Sequence, residues 1–166
     1  YMADTGDGWN STSRMAYLVG KDSLTIRHNE KDIPLPRGQF LILGGDEVYP
    51  CAGKQAYKER LVNPFKAAHP RTSSDPKDDK ADLYAIPGNH DWYGGLVSFM
   101  RRFQQGRDVG IWRTRQTRSY FALKLPCNLW LWGVDGNCFL IPFTITTPTR
   151  LPIIRISNFV NSISRC

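Results

Sequence analysis

The chain has 166 residues and a mass of 18.9 kDa, with 41 % hydrophobic, 22 % charged and 12 % aromatic residues. That is enough for one globular domain with a real core and too short for two comfortable ones; it excludes overall disorder and a coiled coil. A net charge of +7 and a pI near 9.4 suit phosphorylated substrates, nucleic acid, anionic membrane or a merely solvated basic surface.

In chain order, Met2-Ala3 reads as the end of a first strand. Residues 11–21 read as a helix, with Met15, Leu18 and Val19 on one face and Asn10 or Ser11 as cap. Residues 24–26 form a short extended piece, and 29–38, with its prolines, a polar loop. Phe40-Leu41-Ile42-Leu43, stopped by Gly44-Gly45, has the continuous apolar character of a strand buried on both faces. A second helix covers 54–67, where Tyr57, Leu61 and Phe65 recur every fourth residue. A surface loop rich in Pro, Ser, Asp and Lys covers 70–82. Leu83 to Ile86 is another buried strand, ended by Pro87-Gly88. A third helix covers 95–105, with Leu96, Phe99, Met100 and Phe103 on one face. Residues 119–125 read as a half-exposed strand and 129–134 as a strand apolar on both faces. This alternation predicts an α/β domain.

No uninterrupted apolar stretch approaches the length of about 20 residues that spans a bilayer, so no transmembrane segment is expected. Cys51, Cys127, Cys138 and Cys166 are scattered without zinc-ribbon spacing and read as reduced, buried thiols. Asn10-Ser11-Thr12 fits a glycosylation triplet, but no signal-peptide pattern accompanies it, which favours a cytoplasmic location. The densest basic run, Arg101 to Arg118, matches no nucleic-acid-binding module and lacks the interleaved aromatic and basic platform of single-strand binders. Oligomeric state has no correlate in the sequence.

Three polar clusters follow the strands, where ligands bind in open α/β sheets. They are Asp4-Thr5-Gly6-Asp7-Gly8, Gly44-Gly45-Asp46-Glu47-Val48-Tyr49 and Gly88-Asn89-His90-Asp91. Converging carboxylates with an amide oxygen and a histidine suit Mn, Fe or Zn. Two cations about 3.5–4 Å apart neutralise phosphate oxygens and acidify a water into a nucleophile, with no need for a serine or cysteine.

In order and spacing, Asp4-x-Gly6, Gly45-Asp46-x-x-Tyr49 and Gly88-Asn89-His90-Asp91 resemble the first three motifs of the calcineurin-like metallophosphoesterase superfamily. The third is the most specific. The resemblance spans roughly residues 1–135, and the runs Trp92 to Leu96 and Trp112 to Gln116 look like a bacterial-type branch of the group. It implies the N-terminal part of an α/β/β/α sandwich and hydrolysis of a phosphomonoester or phosphodiester by a metal-bound hydroxide. The partner is then a phosphorylated substrate, and the complete domain holds two divalent or trivalent ions (Mn, Fe or Zn). Residue by residue, it makes Asp4 a ligand of the first metal, Asp46 the bridging ligand and Asn89 a ligand of the second. His90 then acts on the scissile phosphate or leaving oxygen, and Asp91 orients its ring.

Gly6 stands where many members carry a histidine; members related to purple acid phosphatases share this glycine and place an iron-binding tyrosine at the offset of Tyr49, which is then a metal ligand or a tyrosine packed beside the strand end. Asp7 is a substitute ligand or a turn residue. The family's two later histidine motifs have no counterpart, because the only histidines are His28, His69 and His90, and the first and second read as surface residues. The alternative expectation is therefore a catalytically incomplete fragment, or a degenerate phosphoesterase with partial metal binding. Past Asp135 the chain has neither acidic residues nor lysine. Residues 136–166 read as an atypical tail, frame-shifted or from a truncated gene, or as a divergent edge-strand segment. The first 135 residues then look like the first half of a larger domain entered mid-strand.

Overall fold

A computed structural model describes residues 1–70 and 80–136, together with the backbone of 153–155. The chain is mixed α/β. Helix α1 (Trp9–Gly20) is followed by a hairpin of β1 (Ser23–His28) and β2 (Lys31–Pro36), then by β3 (Phe40–Leu43). A continuous helical stretch comprises α2 (Lys54–Tyr57), a π-helical turn over Lys58–Val62, and α3 (Asn63–Ala68). After β4 (Ala81–Ala85) come α4 (Asn89–Trp92), α5 (Val97–Phe103), β5 (Asp108–Val109), β6 (Trp112–Thr114), β7 (Phe121–Lys124), β8 (Trp130–Gly133) and β9 (Ile153–Arg155).

The central sheet has the order β3-β4-β6-β5, parallel between β3, β4 and β6 and antiparallel at β5. Met2 extends it by a parallel bridge to Leu43. Side chains of β3 and β4 alternate between two cores, as a sheet covered on both faces requires. Leu41, Leu43, Leu83 and Ala85 pack with Tyr57, Leu61, Phe65, Phe99 and Phe103 of the helices. Tyr84, with Phe40 and Ile42, instead meets Phe121 and Leu123 of the second sheet, β8-β7-β9. Because Met2, β3 and β4 are parallel neighbours, the loops that leave their carboxyl ends emerge side by side.

Several elements depart from expectation for local reasons. Residues 29–38 are not a loop: residues 31–36 form β2, paired in register from Ser23↔Pro36 to His28↔Lys31. Asn29 and Glu30, with φ of 48° and 63°, make the tight turn, and a two-stranded hairpin has the outer edges that tolerate Pro34 and Pro36. Helix α1 starts at Trp9 after Gly8, without a side-chain cap. It buries Thr12, Ala16 and Gly20, the small residues that let it lie close to α3, and leaves Met15 and Leu18 exposed. Helix α5 is shorter than the apolar pattern because Gly95 and Leu96 take left-handed φ values of 71° and 62°, which a right-handed helix cannot include. Met100 is exposed.

Strand β7 is buried rather than half-exposed, whereas β8 exposes Trp130 and Trp132 and buries Gly133. Strands β5 and β6 carry no apolar run long enough to announce them. Cys51 and Cys127 are exposed, not buried. Most of the loop expected at 70–82 and of the atypical tail lies outside the described residues, apart from the parallel pairing of β9 with Ala122–Lys124. Among the described residues no helix is long and apolar enough to cross a membrane.

A partly buried salt-bridge centre ties the amino end of β4 to β5 and β6. Asp108 accepts from Lys80 at 2.5 Å and from Arg113 at 2.9 Å. Partial burial opposes its ionisation, but the bonds to Arg113 and Lys80 outweigh burial and hold it below the ordinary carboxyl range. A depressed folded-state pKa contributes stability that is present above the unfolded value and lost as pH falls through the folded one. Asp108→Asn should therefore flatten the acid limb of a stability–pH curve below about pH 4, measured by urea denaturation. An unchanged acid limb would contradict this assignment.

Candidate metal centre

The three loops expected to carry chemistry do converge. Asp4 donates its backbone N–H to the Gly45 carbonyl at 3.1 Å, which joins the first loop to the second. The His90 backbone N–H donates to Asp46 Oδ1 at 2.9 Å, which joins the second to the third. Asp4 and Asp46 both sit in the left-handed region, with φ of 54° and 52°. Asp tolerates that conformation better than most side chains, and such backbone gathers at functional sites.

Two glycines permit the close approach. A Cβ on Gly6 would lie 2.0 Å from the Glu47 carbonyl oxygen, and one on Gly88 would lie 2.0 Å from Asp46 Oδ1. This accounts for Gly6 at the position where a histidine is common in the resembled family: here the site has backbone in that space. Gly6→Ala should destabilise the fold by about 3 kcal/mol, read by chemical denaturation, because the obstacle is main chain and has no rotamer to yield.

Tyr49 is central. Its hydroxyl lies 2.8 Å from Asp4 Oδ1 and 3.1 Å from Asp46 Oδ2. A phenol has one proton to donate, so it satisfies one of the two carboxylates at a time. Desolvation first, and then the two carboxylates, push its ionisation well above the ordinary tyrosine range. The three oxygens therefore form an electron-rich cluster short of positive charge. Asn89 donates Nδ2 to the Tyr93 hydroxyl at 2.9 Å, so its amide carbonyl is the atom remaining for a ligand. Asn89 is exposed and makes no hydrogen bond to Asp4 or Asp46 among the described residues. Asp7 is also exposed, and its carbonyl rather than its carboxylate is engaged, by Arg60 at 2.7 Å.

His90 lies between the rings of Tyr49 and Tyr93, at centroid distances of 4.3 and 4.8 Å. Its Nδ1 meets the Pro50 carbonyl at 2.7 Å. A carbonyl only accepts, so Nδ1 carries the proton and Nε2 is the ring's other polar atom. This corrects the expectation for Asp91, which does not orient the His90 ring.

Asp91 is buried beneath the loops instead. It accepts from the Gly88 N–H at 2.9 Å, from the Glu47 N–H at 3.4 Å and, in a short bond, from the Tyr57 hydroxyl. It thus staples the second and third loops to α2. Glu47 lies beside it, only 1 % exposed, with Oε1 accepting from the Gly45 N–H at 3.1 Å and Oε2 without a hydrogen-bond partner among the described residues. Desolvation, and then Asp91, raise the Glu47 pKa well above the ordinary carboxyl range, which favours the neutral acid. Tyr57 had only the helical spacing of a core residue, and no sequence signal marked its hydroxyl. The next layer is closed by Trp92, whose Nε1 donates to buried Asp135 at 3.1 Å.

Among the described residues, no three His, Cys, Asp or Glu side chains come together as a group able to hold an ion. The cluster offers two carboxylates, and its other oxygens are the Tyr49 phenol and the Asn89 amide. As a donor set, Asp4, Asp46 and Tyr49 fit a hard or borderline cation, which supplies the charge the single phenolic proton cannot. His28 is exposed, whereas His69 stacks on Tyr17 and meets its carbonyl at 3.0 Å. Neither takes part in the cluster. No protein-family model matches the chain, and no curated protein or solved structure is detectably similar to it.

Proposed function

We propose that the three converging loops form the metal-binding part of a phosphoesterase site of the calcineurin-like type, which hydrolyses a phosphomonoester or phosphodiester. The observation that carries this reading is the Tyr49 hydroxyl shared between Asp4 and Asp46, on left-handed backbone at the carboxyl ends of parallel strands. The helix–sheet–sheet layering, with Tyr84 packed on Phe121 and Leu123, supports the N-terminal part of an α/β/β/α sandwich.

Asp4, Asp46, Tyr49 and Asn89 would hold the ions, of the Mn, Fe or Zn class. When bound, such ions polarise phosphoryl oxygens and acidify a water. The chain's own groups do the rest. With its Nδ1–H on the Pro50 carbonyl and its ring held between two tyrosines, His90 would act on the phosphate or the leaving oxygen through Nε2, which must carry a proton of its own to donate there. Asp91 keeps Asn89 and His90 in place by anchoring the turn before them.

A second reading has its own support. Among the described residues only two carboxylates come together, and the sequence has no histidine after His90, an arrangement that can bind a cation without turning over an ester. Metal analysis of the purified chain, with Mn-supplemented hydrolysis of a chromogenic phosphoester, separates the two. The phosphoesterase reading expects bound metal and turnover lost to a chelator, and His90→Ala should lower turnover by about a hundredfold or more while metal content stays the same. Bound metal without turnover selects the partial site. No metal at all overturns both.

A further inference from the structure

Four arginines of the basic run, Arg101, Arg102, Arg107 and Arg113, line two adjacent cavities away from the converging loops. The first, about 530 Å³, opens at the amino ends of β4 and β6. Lys80 precedes β4, whereas Gly88 and His90 follow it, and the five residues of β4 alone span about 17 Å. Lys66, Lys80, Arg102, Arg107 and Arg113 line this cavity against a single described carboxylate, Asp108. That carboxylate is already shared by Lys80 and Arg113.

The second cavity, about 490 Å³, lies between the α2–π stretch and α5, where it is lined by Lys54, Lys58 and Arg101. No acidic side chain is among its described lining residues. Arg102 and Arg107 line both cavities. Both are held by neutral acceptors. Arg102 Nη1 donates to the Asp108 main-chain carbonyl at 3.0 Å, and Arg107 donates Nε and Nη2 to Gln105 Oε1 at 3.1 and 2.6 Å. Neither guanidinium has a carboxylate hydrogen-bond partner among the described residues. Burial, and then Arg107, lower the Arg102 pKa, with Asp108 opposing them.

We propose that these adjacent cavities bind a ligand carrying a run of phosphoryl groups, a polyphosphate or a nucleoside polyphosphate, with Arg102 and Arg107 as the central contacts. Cavities of this size match small-molecule sites. A single phosphate is met by two or three cations; the six here besides Lys80 and Arg113, which already share Asp108, call for several linked anionic groups. Planar guanidinium groups suit paired phosphoryl oxygens. A single-stranded nucleic acid is disfavoured, because among the described residues no ring apart from His69 and the buried Tyr57 lines either cavity for bases to stack on.

The test is calorimetric titration of the full chain with sodium tripolyphosphate and, separately, ATP, at physiological salt with excess chelator. Arg102→Gln/Arg107→Gln should raise the Kd for either ligand at least about tenfold. Because Arg102 is half-buried, Lys54→Gln/Lys58→Gln, at two exposed side chains, gives a second reading that should raise it by a smaller factor. Asp46→Asn should leave the Kd unchanged, which separates this site from the proposed metal centre. Equal affinity for the two ligands identifies the phosphate chain as what is read, and tighter ATP adds the nucleoside; both support the proposal. It is overturned by no binding at physiological salt, by orthophosphate binding as tightly as tripolyphosphate, by a short oligonucleotide binding more tightly than either ligand, or by folded glutamine variants with unchanged Kd.

Discussion

Asp46→Asn should lower Mn affinity and phosphoester turnover together, each by at least about a hundredfold, with little loss of fold stability. The geometry separates the two effects. Asp46 Oδ1 accepts the His90 N–H at 2.9 Å, and the carbonyl oxygen of an asparagine can take over that bond, so the join between the second and third loops survives. The negative charge does not survive, and with it goes half of the charge that Tyr49 is placed to bridge. Calorimetric titration with Mn, run beside thermal denaturation, reads both quantities. Unchanged Mn affinity in a folded variant would remove Asp46 from the proposed ligand set. A collapse of stability would mean that its charge holds the loops together.

Tyr57→Phe should destabilise the chain by about 1–3 kcal/mol and impair the proposed site without touching it. The Tyr57 hydroxyl donates to Asp91, which also takes the Gly88 and Glu47 N–H groups and has almost no exposure to water. Phenylalanine fills the same apolar volume in the core but leaves a buried carboxyl group one donor short. The third loop should loosen, so amide exchange at Asn89 and His90 should quicken more than in the core strands. Glu47→Gln offers the contrast. Burial and Asp91 both favour the neutral form of Glu47, and an amide of the same shape keeps the bond to the Gly45 N–H and presents a donor toward Asp91. It should match or exceed the parent in stability at neutral pH. A loss as large as that of Tyr57→Phe would show that the Glu47 proton has a fixed partner.

Much of the site was legible because chemistry and turn geometry left the same marks. Glycine beside Asp46 and Asn89, and two residues after Asp4, marks places where backbone must turn sharply or pass close to other atoms. The structure has left-handed φ at Asp4 and Asp46, and no room for a Cβ at Gly6 or Gly88. The buried strands were equally plain, because β3 and the end of β4 are apolar on both faces. Fold class followed from their alternation with helices.

Partnership was not legible. Asp91 next to His90 in sequence reads as its partner, yet the peptide geometry points its side chain inward to Tyr57, and a main-chain carbonyl forty residues back at Pro50 takes the ring proton instead. Main-chain acceptors have no letter in a sequence. The same limit applied to the arginines between 101 and 118, whose charge was evident but whose direction was set by α5 and β6. The small buried faces of α1 and the exposed tryptophans of β8 likewise depend on which neighbour covers each surface. Local composition and spacing therefore established which loops carry polar chemistry and that strands precede them, since turns and burial act on contiguous residues. Chain packing alone settled which proton each group holds and which way each charge faces, because those depend on atoms distant in sequence.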